Sequence, residues 1–132
     1  MIKKLVILII AQFLIINSSI SLEKKTTFNK ELFDKAQSEG KVVIVSSWIK
    51  YCSSCASQMK VLKTAKKDGG LLDINFNNIE YFSFDVTDKE IADLFDVKFQ
   101  TTLLIFKNNE EVYRSLGETT KNLIYEALKK SI

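Results

Sequence analysis

The chain contains no histidine and no proline, and only two of its 132 residues are cysteine. Each shortage excludes something. Covalent haem attachment needs a His directly after the second Cys of a Cys-x-x-Cys pair. Position 56 is Ala, so that chemistry is ruled out. A tetrahedral zinc site needs four ligands. Two thiols cannot close one within a single chain, so a shared thiolate site would need a second copy. A cis peptide bond before any residue other than proline costs about 3–4 kcal/mol, so no position in this chain adopts one cheaply. There is no basic patch interleaved with aromatics, and nothing points to nucleic acid. Repeats, low-complexity tracts and internal linkers are also missing.

What is present begins with the pattern of an export signal. Met1-Ile-Lys-Lys4 is basic, Leu5 to Ile16 is apolar except for Gln12, and Ser19-Ile20-Ser21 offers small residues for cleavage. The expected division is a signal peptide over 1–21 and one domain over 22–132. The apolar stretch is shorter than the roughly 20 residues of a comfortable membrane span. Membrane contact is expected only if the signal stays uncleaved as an N-terminal anchor. No cysteine lies near the cleavage point, so a lipoprotein anchor is excluded. Lys3 and Lys4 supply two of the 19 basic residues. Against 16 acidic ones, the remainder is close to neutral. Export would put the cysteines where disulfides persist.

Hydrophobic periodicity predicts the elements. Thr26 to Glu39 reads as a helix with Phe28, Leu32, Phe33 and Ala36 on one face, stopped by Gly40. The unbroken run in Val42 to Trp48 reads as a central strand buried on both faces. A helix follows from Ser53 to about Lys66, with Cys55, Met59 and Leu62 inward. Ile79 to Val86 reads as a second strand. Thr87 and Glu90 have the spacing of a capping box for a helix reaching Phe95, with Ile91, Leu94 and Phe95 inward. Thr102 to Phe106 and Glu111 to Ser115 read as a hairpin turning at Asn108-Asn109. Thr119 or Thr120 caps a last helix whose apolar face is Leu123, Ile124, Ala127 and Leu128. The order implies an α/β fold with a central mixed sheet of about four strands and helices on both faces.

The two cysteines lie in Trp48-Ile-Lys-Tyr-Cys52-Ser-Ser-Cys55. Two thiols at that spacing can close and reopen a small disulfide ring. As a purely structural staple the ring is weak, because so short a loop removes little chain entropy.

With Trp48 four residues before the first Cys and Tyr51 just before it, the chain resembles the thioredoxin-like superfamily over roughly residues 28–131. The segment Phe95 to Phe106 resembles that family's loop and strand opposite the cysteines. Asn108, Glu110, Glu111 and Gly117 match its terminal hairpin. Asp85-Val-Thr87 is similar to the periplasmic thioredoxin-like domains of thiol-reducing transmembrane proteins. The resemblance implies a thiol–disulfide oxidoreductase with a redox-active pair, Cys52 and Cys55. Cys52, at a helix N-terminus, is the expected nucleophile, and Cys55 the resolving thiol. Trp48, Tyr51 and Thr101 are the expected partner-contacting residues, and Lys50 could add positive charge. Expected partners are protein thiols or disulfides and an unidentified redox partner. No cofactor is implied.

Three positions depart from the family. Thr101 stands where a cis-proline precedes the last strands, so a trans or locally altered bond is expected there. Its hydroxyl could hydrogen-bond a thiolate. Ser46 stands where a buried acid assists the second Cys. Ser53-Ser54 is neither the Gly-Pro of reducing members nor the Pro-His of strong oxidants. The resemblance at Asp85-Val-Thr87 favours a reducing or isomerising role, in the periplasm or another extracytoplasmic space. Its rival is a redox-inert or soft-metal-binding module.

Overall fold

The computed structural model describes residues 24–69 and 74–132. The expected signal peptide over 1–21 lies outside the described residues. The described elements follow in order: α1 (Lys30–Ser38), β1 (Val42–Trp48), α2 (Ser53–Lys67), a 3-10 turn (Phe76–Asn78), β2 (Ile79–Asp85), α3 (Lys89–Leu94), β3 (Thr102–Lys107), β4 (Glu110–Leu116) and α4 (Lys121–Ser131).

The strands form one mixed sheet in the order β2-β1-β3-β4. β1 pairs with β2 in parallel, from Val42 opposite Ile79 to Trp48 opposite Asp85. β3 runs antiparallel to β1 and to β4. The α2 crossover makes the parallel pair, and a two-residue turn makes the hairpin. Asn108 and Asn109 both take positive φ, 53° and 63°, as a tight primed turn requires.

The period-2 alternation of β1 divides the core. Val42 and Ile44 pack with Leu62 and Ala65 of α2 and with Ile124 and Leu128 of α4. Val43 and Val45 pack on the other face with Phe33 of α1 and Ala92 of α3. Helices therefore cover both faces, as expected. The second face is dominated by phenylalanine: the Phe33 ring lies 5.6, 5.4 and 5.2 Å from those of Phe28, Phe95 and Phe106. The pairs with Phe95 and Phe106 are edge-on, and such pairs add to area burial. Among the described residues no helix is long and apolar enough to cross a membrane.

Several local expectations are corrected. The first helix starts at Lys30, not Thr26, because Asn29 caps it by accepting the Leu32 N–H at 3.0 Å. Residues 26–28 instead follow the free edge of β2. Thr27 Oγ1 accepts the Ser83 N–H at 2.9 Å, and the Thr27 N–H bonds the Ser83 carbonyl at 2.8 Å. These bonds cover an edge that would otherwise be open to pairing. Asp88, not Thr87, caps α3, accepting the Ile91 N–H at 3.3 Å. The Thr87 hydroxyl is already committed to the Asp85 carboxylate at 2.8 Å. Thr120 holds the cap position of α4 but makes no side-chain cap bond. Glu118 accepts the Thr120 N–H at 2.7 Å instead, and that bond holds the Glu118 carboxyl below its ordinary range. Leu32, Leu94 and Leu123 are exposed rather than inward, and Tyr125 takes a buried place on α4.

Candidate active site

β1 delivers the chain to one end of the sheet, where it turns sharply into α2. The turn falls on Tyr51, whose φ of 62° is left-handed. A bulky residue adopts that region only at a cost of order 1–3 kcal/mol. The turn leaves Cys52 as the N-cap of α2, its sulfur accepting the Cys55 N–H at 3.1 Å. Cys52 and Cys55 are joined as a disulfide, with Cα atoms 5.3 Å apart. Cys52 is the more accessible, 8% exposed against 1% for Cys55. No acidic residue occupies the first turn of α2 to oppose negative charge at that end.

Thr101 comes to this pair from the opposite loop. Its hydroxyl lies 3.2 Å from Cys55 Sγ, 3.6 Å from Cys52 Sγ and 2.8 Å from Ser54 Oγ. Ser54 Oγ is 3.4 Å from Cys52 Sγ. Two hydroxyls thus face the two sulfurs. No cis peptide bond occurs among the described residues; Thr101 is reached by a trans bond and carries a φ of 60°. The local alteration expected at the missing proline is therefore a left-handed backbone. For a β-branched residue that is a true outlier.

The backbone of Thr101 is fully engaged within the chain. Its N–H donates to the Ser47 carbonyl at 2.9 Å, and its carbonyl accepts from the Gly117 N–H at 2.9 Å. Gln58 Nε2 also donates to that carbonyl, at 3.2 Å. Thr101, expected to contact a partner, is instead 2% exposed. The left-handed turn directs its backbone groups inward and aims the hydroxyl at the sulfurs. Gly117 meets the carbonyl with a φ of 79°, which suits glycine.

Of the other expected site residues, Tyr51 is 90% exposed beside Cys52 and Trp48 is half-buried. The Lys50 ammonium lies 5.1 Å from the Tyr51 ring centroid, so its charge is turned toward that ring. Ser46 is buried and its hydroxyl meets the Tyr81 hydroxyl at 2.6 Å. Burial pushes the Tyr81 phenol up to about 12, against the opposing pull of the Ser46 and Ser83 hydroxyls. The position of the family's acid is thus occupied by a neutral hydroxyl pair.

Two site residues have no counterpart in the sequence-based expectations. Lys24 Nζ donates to the Cys52 carbonyl at 2.7 Å, bringing a cation to the residue that caps α2. Gln58, 1% exposed, ties the Thr101 loop to the Glu118 carbonyl at 2.9 Å. Gln58 carried a signal, a polar residue one helical turn after Cys55 on the inward face. Lys24 carried none. Phe99 and Leu116, both exposed, flank Thr101 through the loop before it and the β4 end paired with Thr102.

A dithiol pair capping the helix that a central strand feeds, within this sheet, belongs to the thiol–disulfide oxidoreductases of thioredoxin-like fold. The thioredoxin family model matches residues 19–130. The chain belongs to the thioredoxin family. It is 28% identical over 98 residues to a thioredoxin H-type of Fagopyrum esculentum, covering 73% of this chain and 78% of that protein. The Trxlp structure from Edwardsiella tarda superposes with a TM-score of 0.66 at 25% identity, covering 76% of this chain and 94% of that one. A mutant thioredoxin from Halobacterium salinarum superposes with a TM-score of 0.63 at 17% identity, covering 78% of this chain and 85% of that one.

Proposed function

We propose that the protein works outside the cytoplasm, exchanging disulfides with protein partners through Cys52 and Cys55 in the reducing or isomerising direction. The observation that carries the roles is the capping geometry. Cys52 is the more exposed cysteine, and its sulfur already accepts an amide N–H at the helix N-terminus. Free amides there favour a thiolate, which is the attacking species.

The reaction runs in two displacements. The Cys52 thiolate bonds one sulfur of a partner disulfide, and the other partner sulfur leaves with the electron pair. Cys55, once deprotonated, bonds Cys52 Sγ and expels the second partner sulfur as a thiolate. The partner disulfide is reduced and Cys52–Cys55 is oxidised. Tyr51 and Trp48, with the exposed side chains of Phe99 and Leu116, supply the apolar rim on which a partner chain rests.

The reducing option rests on the similarity of Asp85-Val-Thr87 to thiol-reducing domains, and the isomerising option on the donors around the sulfurs. The Ser54 and Thr101 hydroxyls and the Cys55 amide stabilise a Cys52 thiolate, and so the reduced pair. Stabilising the reduced form moves a couple away from the strongly reducing extreme. Isomerisation of partner disulfides suits such an intermediate pair. Export rests on the Lys3-Lys4 start and the apolar stretch Leu5 to Ile16.

The test is a trap. A Cys55→Ser variant, incubated with extracts of exported proteins, should accumulate mixed disulfides through Cys52. A Cys52→Ser variant should not. No mixed disulfides, together with a wild type that leaves a model disulfide unreduced, would overturn the reading.

A further inference from the structure

Cys55 is 1% exposed, and its neighbourhood lacks the acid that would take its proton. Ser46 is turned to Tyr81 at 2.6 Å. The groups that do touch Cys55 lead elsewhere. Thr101 Oγ1, 2% exposed, lies 3.2 Å from Cys55 Sγ, and Ser54 Oγ lies 2.8 Å beyond it. Ser54 is half-buried and reaches solvent. We propose that the Thr101 and Ser54 hydroxyls form a relay that carries the proton of Cys55 between its buried sulfur and solvent. The inference rests on the exchange reaction above and assigns Thr101 a catalytic role in its second step.

The relay balances. As Cys55 attacks the mixed disulfide, its S–H proton passes to Thr101 Oγ1. The Thr101 hydroxyl proton passes to Ser54 Oγ, and the Ser54 proton passes to water. Each oxygen gives one proton and takes one, so neither becomes an alkoxide. The electron pair of Cys55 forms the bond to Cys52 Sγ, and the partner sulfur leaves with the pair of the broken bond. In the reverse direction an incoming thiolate bonds Cys52 Sγ, and the departing Cys55 sulfur is protonated by Thr101. The geometry of the disulfide state places the Thr101 hydroxyl against that leaving sulfur.

The relay uses the feature that distinguishes position 101. A proline there has no hydroxyl. The left-handed backbone and the three internal bonds of Thr101 fix its side chain toward the sulfurs.

The test uses the reduced full chain mixed with 5,5′-dithiobis(2-nitrobenzoate) in a stopped-flow instrument. The first nitrothiolate released reports attack by Cys52, and the second reports resolution by Cys55. Thr101→Val should slow the second release on the order of a hundredfold and make it rise steeply with pH, because bulk base must then take the proton. Thr101→Ser should restore both rate and pH profile. Ser54→Ala, at the half-exposed end, should slow the second release in the same pH-dependent way. Wild-type resolution in Thr101→Val, or equal slowing in Thr101→Ser, would overturn the relay and leave the exchange reaction standing. If Thr101→Val does not fold, Ser54→Ala decides, and unchanged resolution there overturns the relay. Absence of the first release in the wild type would overturn the exchange reading itself.

Discussion

The Thr101 hydroxyl and the Cys55 sulfur lie 3.2 Å apart, one from each side of the site. The family resemblance implies a proline at position 101 and a buried carboxylate at position 46. At those two positions the structure has the Thr101 hydroxyl and a neutral Ser46–Tyr81 pair. The two positions complement each other, because the Thr101 hydroxyl faces the Cys55 sulfur and Ser46 offers it no carboxylate.

Placing a proline at position 101 should harm this backbone. Thr101→Pro demands a φ near −65° where the chain holds 60°. It also removes the N–H that bonds the Ser47 carbonyl at 2.9 Å. The lost bond alone should cost about 1–3 kcal/mol. A lower urea midpoint is expected; a midpoint equal to or above wild type would contradict the left-handed loop.

The Ser46–Tyr81 pair should behave as a unit. Ser46→Ala takes from the phenol its 2.6 Å partner and Tyr81→Phe leaves a serine unpaired, each costing about 1–3 kcal/mol. The double variant should cost clearly less than the sum, since the 2.6 Å contact is then removed from both sides at once. Simple additivity in denaturant unfolding would argue against the 2.6 Å contact.

Tyr81 also sets an alkaline limit. Burial raises its folded pKa from 10.0 to about 12. The unfolded chain loses that proton first, so unfolding is favoured as pH rises. The Tyr81 contribution is fully present below pH 10 and is lost through about pH 12. Thermal unfolding should therefore show a decline above pH 10 that is shallower in Tyr81→Phe. Parallel declines in the two proteins would remove Tyr81 from the explanation.

The phenylalanine face carries much of the packing. Phe33 is 6% exposed and meets three other rings within 5.6 Å. Phe33→Ala should cost about 3–5 kcal/mol, read from urea unfolding. A loss below about 1 kcal/mol would mean that the cluster collapses around the gap.

Much of this arrangement is legible in the sequence. The Val/Ile run of β1 and the Asn108-Asn109 turn are strong local signals, and their bounds fall close to expectation. The caps do not, because Asp88 and Asn29 outcompete neighbouring threonines whose hydroxyls bond elsewhere. Periodicity finds the buried side of each helix but not its margin, so Leu94 and Leu123, expected inward, lie exposed. In the site, the meeting of Thr101 with the cysteines is foreseeable from the resemblance. The Lys24 contact is not. It spans 28 residues of sequence and depends on the path of residues 24–28 along the β2 edge.

That path has a consequence for reactivity. With Lys24 Nζ bonded to the Cys52 carbonyl at 2.7 Å, Lys24→Gln removes a cation beside Cys52. Cys52 alkylation should slow by roughly a few-fold at low salt, and the difference should shrink in high salt as screening shortens its reach. A salt-independent change would point to a structural effect instead.

The central claim is that Cys52 is the thiolate poised for attack while Cys55 waits behind it. Reduced protein should be treated with limiting iodoacetamide at about pH 7, and the modified residue identified by mass spectrometry. Alkylation should fall on Cys52 alone, at least about tenfold faster than on a free thiol such as glutathione. Equal labelling of both cysteines, preference for Cys55, or a rate no greater than glutathione's would contradict the assignment.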